Sequence, residues 1–307
     1  MDGSPAVLAL DVGGTKIAAG VVDSEGALVY TAALPTRADQ GAEVVWSVVA
    51  ELIDDVLARA GGRVDAVGIG SAGPLDVNAG TVSPINIPGW HGFALRDRVA
   101  AALPGVPVLL GGDGVCMALG EYRHGAGRGT CSMLGMVVST GVGGGLVLDG
   151  TPWHGRTGNA GHVGHVVVDP DGPVCRCGGR GCVETIASGP AMVRWALANG
   201  WAPEAPTADA KALAAAAEAG DSVALAAFGR GADALAVMIT SVAAVCDLDL
   251  VVIGGGVARS GAVLFGPLRA ALAERARLDF LAGLAVVPAE LGGDAGLVGA
   301  GVLATLR

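Results

Sequence analysis

Short apolar runs alternate with glycine-bearing turns along most of the chain. The first run covers residues 7–10 and ends at Asp11, with Gly13, Gly14, Thr15 and Lys16 immediately after it. A second run spans 17–22, a polar turn 23–26, and a third run 28–31. Runs of this length, bounded by turn residues, predict three consecutive strands joined tightly. Between 43 and 60 the period changes. Val44, Val45, Val48, Val49, Leu52, Ile53, Val56 and Leu57 recur at helical spacing, while Glu51, Asp54, Asp55 and Arg59 lie mostly off that stripe. This predicts an amphipathic helix. Residues 64–70 return to a strand pattern and complete a βββαβ unit.

The plan recurs further on. Strands predicted at 133–139 and 146–149 flank a glycine turn at 140–145, and 163–168 is the candidate third strand. Helices at 190–199, 208–219 and 222–245 then lead to a strand at 250–253. Two βββα units, each with a glycine loop in its first hairpin, predict a duplicated α/β fold of two domains with a cleft between them. The boundary is expected near residues 111–114.

Composition narrows the class. At 307 residues, 52% of them apolar, the chain suits two cores better than one. Its 52 glycines follow no repeat, so a collagen-type fibre is excluded. A net charge of −10 with no Lys/Arg run argues against a nucleic-acid partner. Residues 1–5 carry no basic segment, and Asp11 interrupts the first apolar run, so no targeting signal is expected. The uncharged stretch 129–148 has the length of a membrane span, but the glycines at 141 and 143–145 break it in half. Cys116, Cys131 and Cys246 sit in apolar stretches and are expected to be reduced core residues, as in a cytosol. A soluble, cytoplasmic protein without a membrane partner follows.

The chemistry concentrates in a few places. Cys175, Cys177 and Cys182 lie close together, with His165 ten residues upstream of the first, which is the ligand set of a closed tetrahedral zinc site. Disulfides or idle thiols are the competing reading. Three is an odd count, and Cys175 and Cys177 are too close to bridge comfortably, so zinc is favoured. Three glycine turns follow strands. The first holds Asp11, Gly13, Gly14, Thr15 and Lys16; its backbone N–H groups suit a phosphate, and Asp11 suits Mg²⁺ held through water. The second, Thr140, Gly141 and Gly143, has no charge. The third is Gly254, Gly255 and Gly256, where a following helix would point its N-terminus at a nucleotide. Asp113 follows the apolar run 106–110 and precedes a helical stretch at 115–122. It is placed either as a general base for a hydroxyl or as a helix N-cap.

These motifs, with Gly158–Asn–Ala–Gly161 before Gly164–His165 and with Glu184 two residues after Cys182, stand in the order seen in the ROK family of repressors, open reading frames and sugar kinases. The resemblance runs from about residue 6 to 303. It implies an actin-like ATPase fold, related to ribonuclease H, with ATP and Mg²⁺ in the cleft and transfer of the γ-phosphoryl to a hexose 6-hydroxyl. It also implies residues 1–112 as the smaller domain and 113–296 as the larger, which bears the zinc and the adenosine loop. A helix at about 297–307 would pack back on the first domain. Asp113 would accept the 6-hydroxyl proton, the turns at Asp11 and Thr140 would hold phosphates, and Glu184 would bind the sugar near C1. His165 would bind structural zinc and fix the loop of sugar contacts. Asn86 is expected in a segment lining the sugar, with Trp90 either there or in the core. A homodimer or homotetramer is expected.

Three positions depart from the family pattern. Gly112 and Val115 stand where family glucokinases carry Asn, and His162 stands where they carry a sugar-binding Glu. A pocket that loses partners for hydroxyls around C2, C3 and C4 binds glucose less well. The expected substrate is therefore a hexose altered at C3 or C2, the amino sugar kanosamine being the leading candidate. Ordinary glucokinase activity and a non-catalytic sugar sensor are the alternatives. A repressor is not expected, since only ten residues precede Asp11 and the surface is acidic.

Overall fold

The computed structural model describes residues 6–23, 25–203 and 207–306. Residues 1–5, read above for a targeting signal, lie outside these, as do Ser24 of the predicted turn and Arg307 of the predicted last helix. The first part of the chain runs β1 (Val7–Val12), β2 (Lys16–Val22), β3 (Leu28–Pro35), α1 (Ala42–Arg59) and β4 (Ala66–Ser71). The small hairpin β5 (Leu75–Asp76) and β6 (Thr81–Val82) follows, then α2 (Leu95–Ala102) and β7 (Val108–Gly112). Next come α3 (Asp113–His124), β8 (Met133–Val138), β9 (Val142–Leu148) and β10 (Thr151–Trp153). A helical stretch holds α4 (Glu184–Ala187), α5 (Gly189–Ala198), α6 (Ala210–Glu218) and α7 (Ser222–Cys246). The chain ends with β11 (Leu250–Gly254), α8 (Ala262–Arg275), β12 (Ala285–Pro288) and α9 (Ala295–Thr305).

Two five-stranded sheets have the same topology, β3-β2-β1-β4-β7 and β10-β9-β8-β11-β12. In each, an antiparallel three-strand meander is extended by two parallel strands. The duplicated α/β architecture expected from the repeated hydrophobic pattern is therefore present. The central strands are buried almost throughout, β1 breaking only at the half-buried Asp11, which explains their apolar sequences. The outer strand β3 alternates burial instead. Beneath the first sheet, α1 inserts Val45, Val49, Leu52, Ile53 and Val56 among Leu8, Leu10, Ile17 and Ile69. Burying each such side chain stabilises the fold by about 1.5–3 kcal/mol.

One predicted strand is corrected. Residues 163–168 are not the third strand of the second sheet; β10 takes that place. Val163–His165 forms a single 3₁₀ turn instead. Gly164 is pressed so closely onto the Val142 carbonyl that a Cβ there would meet the oxygen, and Val167 pairs only with Cys182. Lying over β9 rather than beside it, the segment carries His165 to the thiols. The helix predicted at 115–122 starts earlier, at Asp113. Of the cysteines expected in the core, Cys116 is buried but Cys131 is exposed. Helix α7 has the length and composition of a membrane span, yet Phe228, Leu235, Met238 and Ile239 lie in the core beneath the second sheet.

Helices α3 and α9 lie between the two sheets and cross with almost no side chains between them. A Cβ at Gly299 would lie 1.5 Å from the Cys116 carbonyl oxygen, and one at Gly120 would lie 2.4 Å from that of Ala295. Glu121, fully buried on α3, accepts hydrogen bonds from the N–H groups of Ala126 (2.9 Å), Glu290 (3.1 Å) and Leu291 (2.8 Å). Those three donors satisfy a carboxylate that would otherwise be costly to bury.

Candidate active site

A cleft of about 760 Å³ opens between the two sheets. It gathers Asp11, Gly13, Gly14, Thr15 and Lys16 from the β1–β2 turn, and Gly112 and Asp113 from the β7–α3 junction. Thr140, Gly141 and Gly143 enter from the β8–β9 turn, and Gly254, Gly255 and Gly256 from the end of β11. Asn86, His162, His165 and Glu184 complete the walls. The cleft thus brings together every predicted phosphate, sugar and base residue. Cys175, Cys177 and Cys182 lie outside it, behind His165.

Each turn is fixed by bonds that free its other N–H groups. In the first, Gly13 N–H donates to Lys16 at 3.0 Å, and the buried Thr36 hydroxyl donates to the Gly13 carbonyl at 2.6 Å. Gly14 carries the side chain of Asn86 directly on its backbone; a Cβ there would lie 2.6 Å from Asn86 Cβ. In the second, Val142 N–H donates to Glu184 Oε2 at 2.9 Å, so the carboxylate expected at the sugar also braces the β8–β9 turn. In the third, Gly255 adopts φ +94° beneath the Val138 carbonyl. A helix does not open directly there: the 3₁₀ turn Ala258–Ser260 intervenes before α8, and Arg259 projects a cation into the cleft.

Asp113 is not an N-cap. Gly112 is the cap residue, in extended conformation (φ −69°, ψ 148°), and Asp113 is the first helical residue. Its Oδ1 accepts from Gly114 N–H at 2.7 Å, which orients the carboxylate over the cleft floor. Solvent reaches it through the open cleft, but protein crowds it on the remaining sides. That desolvation pushes its pKa up to about 6, against the favourable pull of the Gly114 N–H. Asp11 is likewise raised to about 6, first by burial and then by the negative charge of Asp113, with Lys16 opposing. Two carboxylates in one cleft, both raised in this way, mark it as a candidate functional site. His162 is held neutral more strongly than an ordinary imidazole by partial burial and by the neighbouring His165. Trp90 is core: it is 1% exposed, stacks on Phe93 at 4.2 Å and donates its indole N–H to Ala42.

The ligand atoms of His165, Cys175, Cys177 and Cys182 all lie within 4.8 Å of one another. Cys177 and Cys182 sulfurs are 3.7 Å apart, and the Cys175 sulfur is 3.7 Å from His165 Nδ1. A disulfide needs about 2.05 Å, so these thiols are unbridged. The edge of a tetrahedron with metal–sulfur bonds of about 2.3 Å is close to the observed spacing, and the donor set fits Zn²⁺.

Thr36, Glu121 and Arg259 were not singled out by the sequence, and Asn159 entered only as part of the Gly158–Gly161 motif, with no role given. Thr36 and Glu121 act through backbone groups distant along the chain, for which no local pattern exists. Arg259, three residues beyond the glycines of the third turn, was within reach of that motif.

The chain matches the ROK family model over residues 7–307. It is 38% identical to the glucokinase of Thermotoga maritima, covering 96% of this chain and 95% of that one. It is 37% identical to the N-acetylmannosamine kinase of Escherichia fergusonii, covering 97% of each. Among solved structures, it superimposes with a TM-score of 0.84 on a ROK family glucokinase from Streptomyces griseus in complex with glucose and AMPPNP, at 34% identity over 97% of this chain and 99% of that one. The chain belongs to the ROK family and has its actin-like ATPase fold.

Proposed function

We propose that this protein is an ATP-dependent kinase that phosphorylates the 6-hydroxyl of a hexose, with a C3- or C2-modified glucose such as kanosamine as the preferred acceptor. The observation that carries the reading is the convergence of Asp113, Asp11 and three glycine turns on one cleft. Phosphoryl transfer needs positioning and charge neutralisation more than covalent chemistry. Asp113 accepts the proton of the 6-hydroxyl as the alkoxide oxygen bonds to the γ-phosphorus. The bond from that phosphorus to the β,γ-bridging oxygen breaks, and ADP leaves with the electron pair. Lys16 and the N–H groups of the turns hold phosphate oxygens, and Arg259 adds charge at the far end. Mg²⁺, held near Asp11 through water, would neutralise the triphosphate. Zn²⁺ on His165, Cys175, Cys177 and Cys182 would be structural. Relatives named as glucokinase and as N-acetylmannosamine kinase support a hexose acceptor while leaving C2 open to variation.

His162 and Gly112 support the modified sugar. A Cβ at Gly112 would meet nothing nearer than 3.7 Å and its φ is ordinary, so neither packing nor backbone requires glycine there. The space stays open beside the base. His162 presents a neutral imidazole able to accept from an amine or amide N–H. ADP release measured with glucose, glucosamine, N-acetylmannosamine and kanosamine tests this. The expected result is a kcat/KM for an amino or N-acyl sugar roughly tenfold or more above that for glucose. Glucose outperforming all of them overturns the modified-sugar reading, and no ADP release with any hexose overturns the kinase in favour of a sensor.

The first turn offers a second check. Because a Cβ at Gly14 would press on both Cβ and Cγ of Asn86, rotating that side chain cannot clear it. Gly14→Ala is expected to weaken ATP binding by about tenfold or more through displacement of the turn. Calorimetric titration with a non-hydrolysable ATP analogue reads it, and unchanged affinity would show that the turn does not hold phosphates.

A further inference from the structure

We propose that Asn159 is the positioning residue of the sugar end of the cleft, holding the wall that follows β4 against the loop that carries His162. The inference rests on the kinase reading above and assigns its acceptor pocket a specific brace.

Leu75 N–H donates to Asn159 Oδ1 at 3.0 Å, and Asn159 Nδ2 donates to the Leu75 carbonyl at 2.6 Å. The carboxamide therefore pairs with one residue's backbone at two points, as a neighbouring strand would. Only one orientation of the amide satisfies both bonds, and in it Nδ2 also donates to the Thr157 hydroxyl at 3.0 Å. Val77 N–H adds a bond to the Thr157 carbonyl at 3.1 Å. The contact joins segments 84 positions apart, one following β4 of the first sheet and one following β10 of the second.

The brace sits where the acceptor must lie. A Cβ on Gly73 would meet His162 Nε2 at 2.9 Å and Asn159 Oδ1 at 3.5 Å, so His162 rests against the strip that Asn159 holds. Gly73, Gly112 and His162 all line the cleft, and Gly112 faces Leu75 and the Gly158 carbonyl. Asn159 itself belongs to neither the phosphate turns nor the base. Its loss releases the sugar wall and leaves the nucleotide wall in place, because the latter is tied separately through Thr36 and Glu184. Preorganised contacts to a small polar ligand weaken steeply when their support loosens.

Asn159→Asp and Asn159→Ala in the full chain test the proposal, with equilibrium sugar affinity by calorimetry, KM for sugar and for ATP, and Tm as readouts. Asp keeps the shape but sets a carboxylate oxygen against the Leu75 carbonyl; Ala removes the group and lets water replace it. Asn159→Asp is expected to weaken sugar binding by about tenfold or more, with KM for ATP within about twofold, and to be more damaging than Asn159→Ala. A space-filling role predicts the reverse order. Ala worse than Asp, equal changes in both KM values, or unchanged sugar affinity each overturns the proposal. Should the Asp variant not fold, Thr157→Val replaces it, with a sugar-affinity loss of about twofold to threefold expected and none overturning it. Sugar bound by the unmodified chain without ADP release would defeat the kinase reading alone, and Asn159 is then judged on affinity.

Discussion

Asp113→Asn is expected to lower kcat by about 10³-fold or more while ATP and sugar still bind, because the amide keeps the shape and the Gly114 contact but cannot take a proton. Steady-state kinetics with the best hexose reads the loss; activity within tenfold of the parent would remove Asp113 from the base role. The unmodified enzyme should show the complementary pH profile. With Asp113 and Asp11 both raised to about 6, kcat/KM falls as pH drops through that region, since the protonated base is inactive. The two carboxylates repel, so the acid limb reports apparent values of the pair rather than of one residue. The stability effect has the opposite sign. Both groups hold protons more tightly in the folded state than at their ordinary 3.8, so ionising them above about pH 6 opposes folding. Asp113→Asn should therefore raise Tm at pH 8 and leave it nearly unchanged at pH 4. A lower Tm at pH 8 would mark the carboxylate as a structural anchor.

Cys182→Ser is expected to be as severe, by a different route. Residues 173–180 are exposed apart from Cys175, and their internal bonding is a few turn contacts, so burial cannot order them. A four-ligand Zn²⁺ site, as proposed, would supply that order, since such sites contribute folding free energy directly. Glu184 lies two residues beyond Cys182 and braces Val142, while His165 reaches the cleft, so losing the metal disturbs both acceptor and phosphate walls. About one zinc per chain by elemental analysis is expected in the purified protein, with loss of zinc and a fall in activity of about 10²-fold or more in the variant. Full activity in a metal-free chain would show that the thiols pack without a cation.

What the sequence made legible was whatever depends on local spacing. The thiol cluster, the glycine turns after strands and the apolar stripe of α1 all announce themselves within a few residues. The third strand of the second sheet did not. Its three residues include Pro152 and are too few for a pattern, whereas 163–168 has a strand-like apolar sequence because Val163, Val166 and Val168 pack on the core without joining the sheet. The helix expected directly after the third glycine turn begins later, at Ala262, because the 3₁₀ turn Ala258–Ser260 and Gly261 come first. The braces of the site, Thr36, Glu121 and Asn159, work through backbone groups far away in sequence, and a single chain carries no record of those pairings.

The crossing of α3 and α9 governs how the molecule comes into being. α9 packs on β1, β4 and α3, so the first sheet cannot complete its core until a segment from the far end of the polypeptide arrives. Contacts of such long sequence separation are slow to form. The wall of the cleft that bears Asp11 is therefore completed only by a helix that follows every strand of the second sheet, so the two halves of the molecule are interdependent in folding.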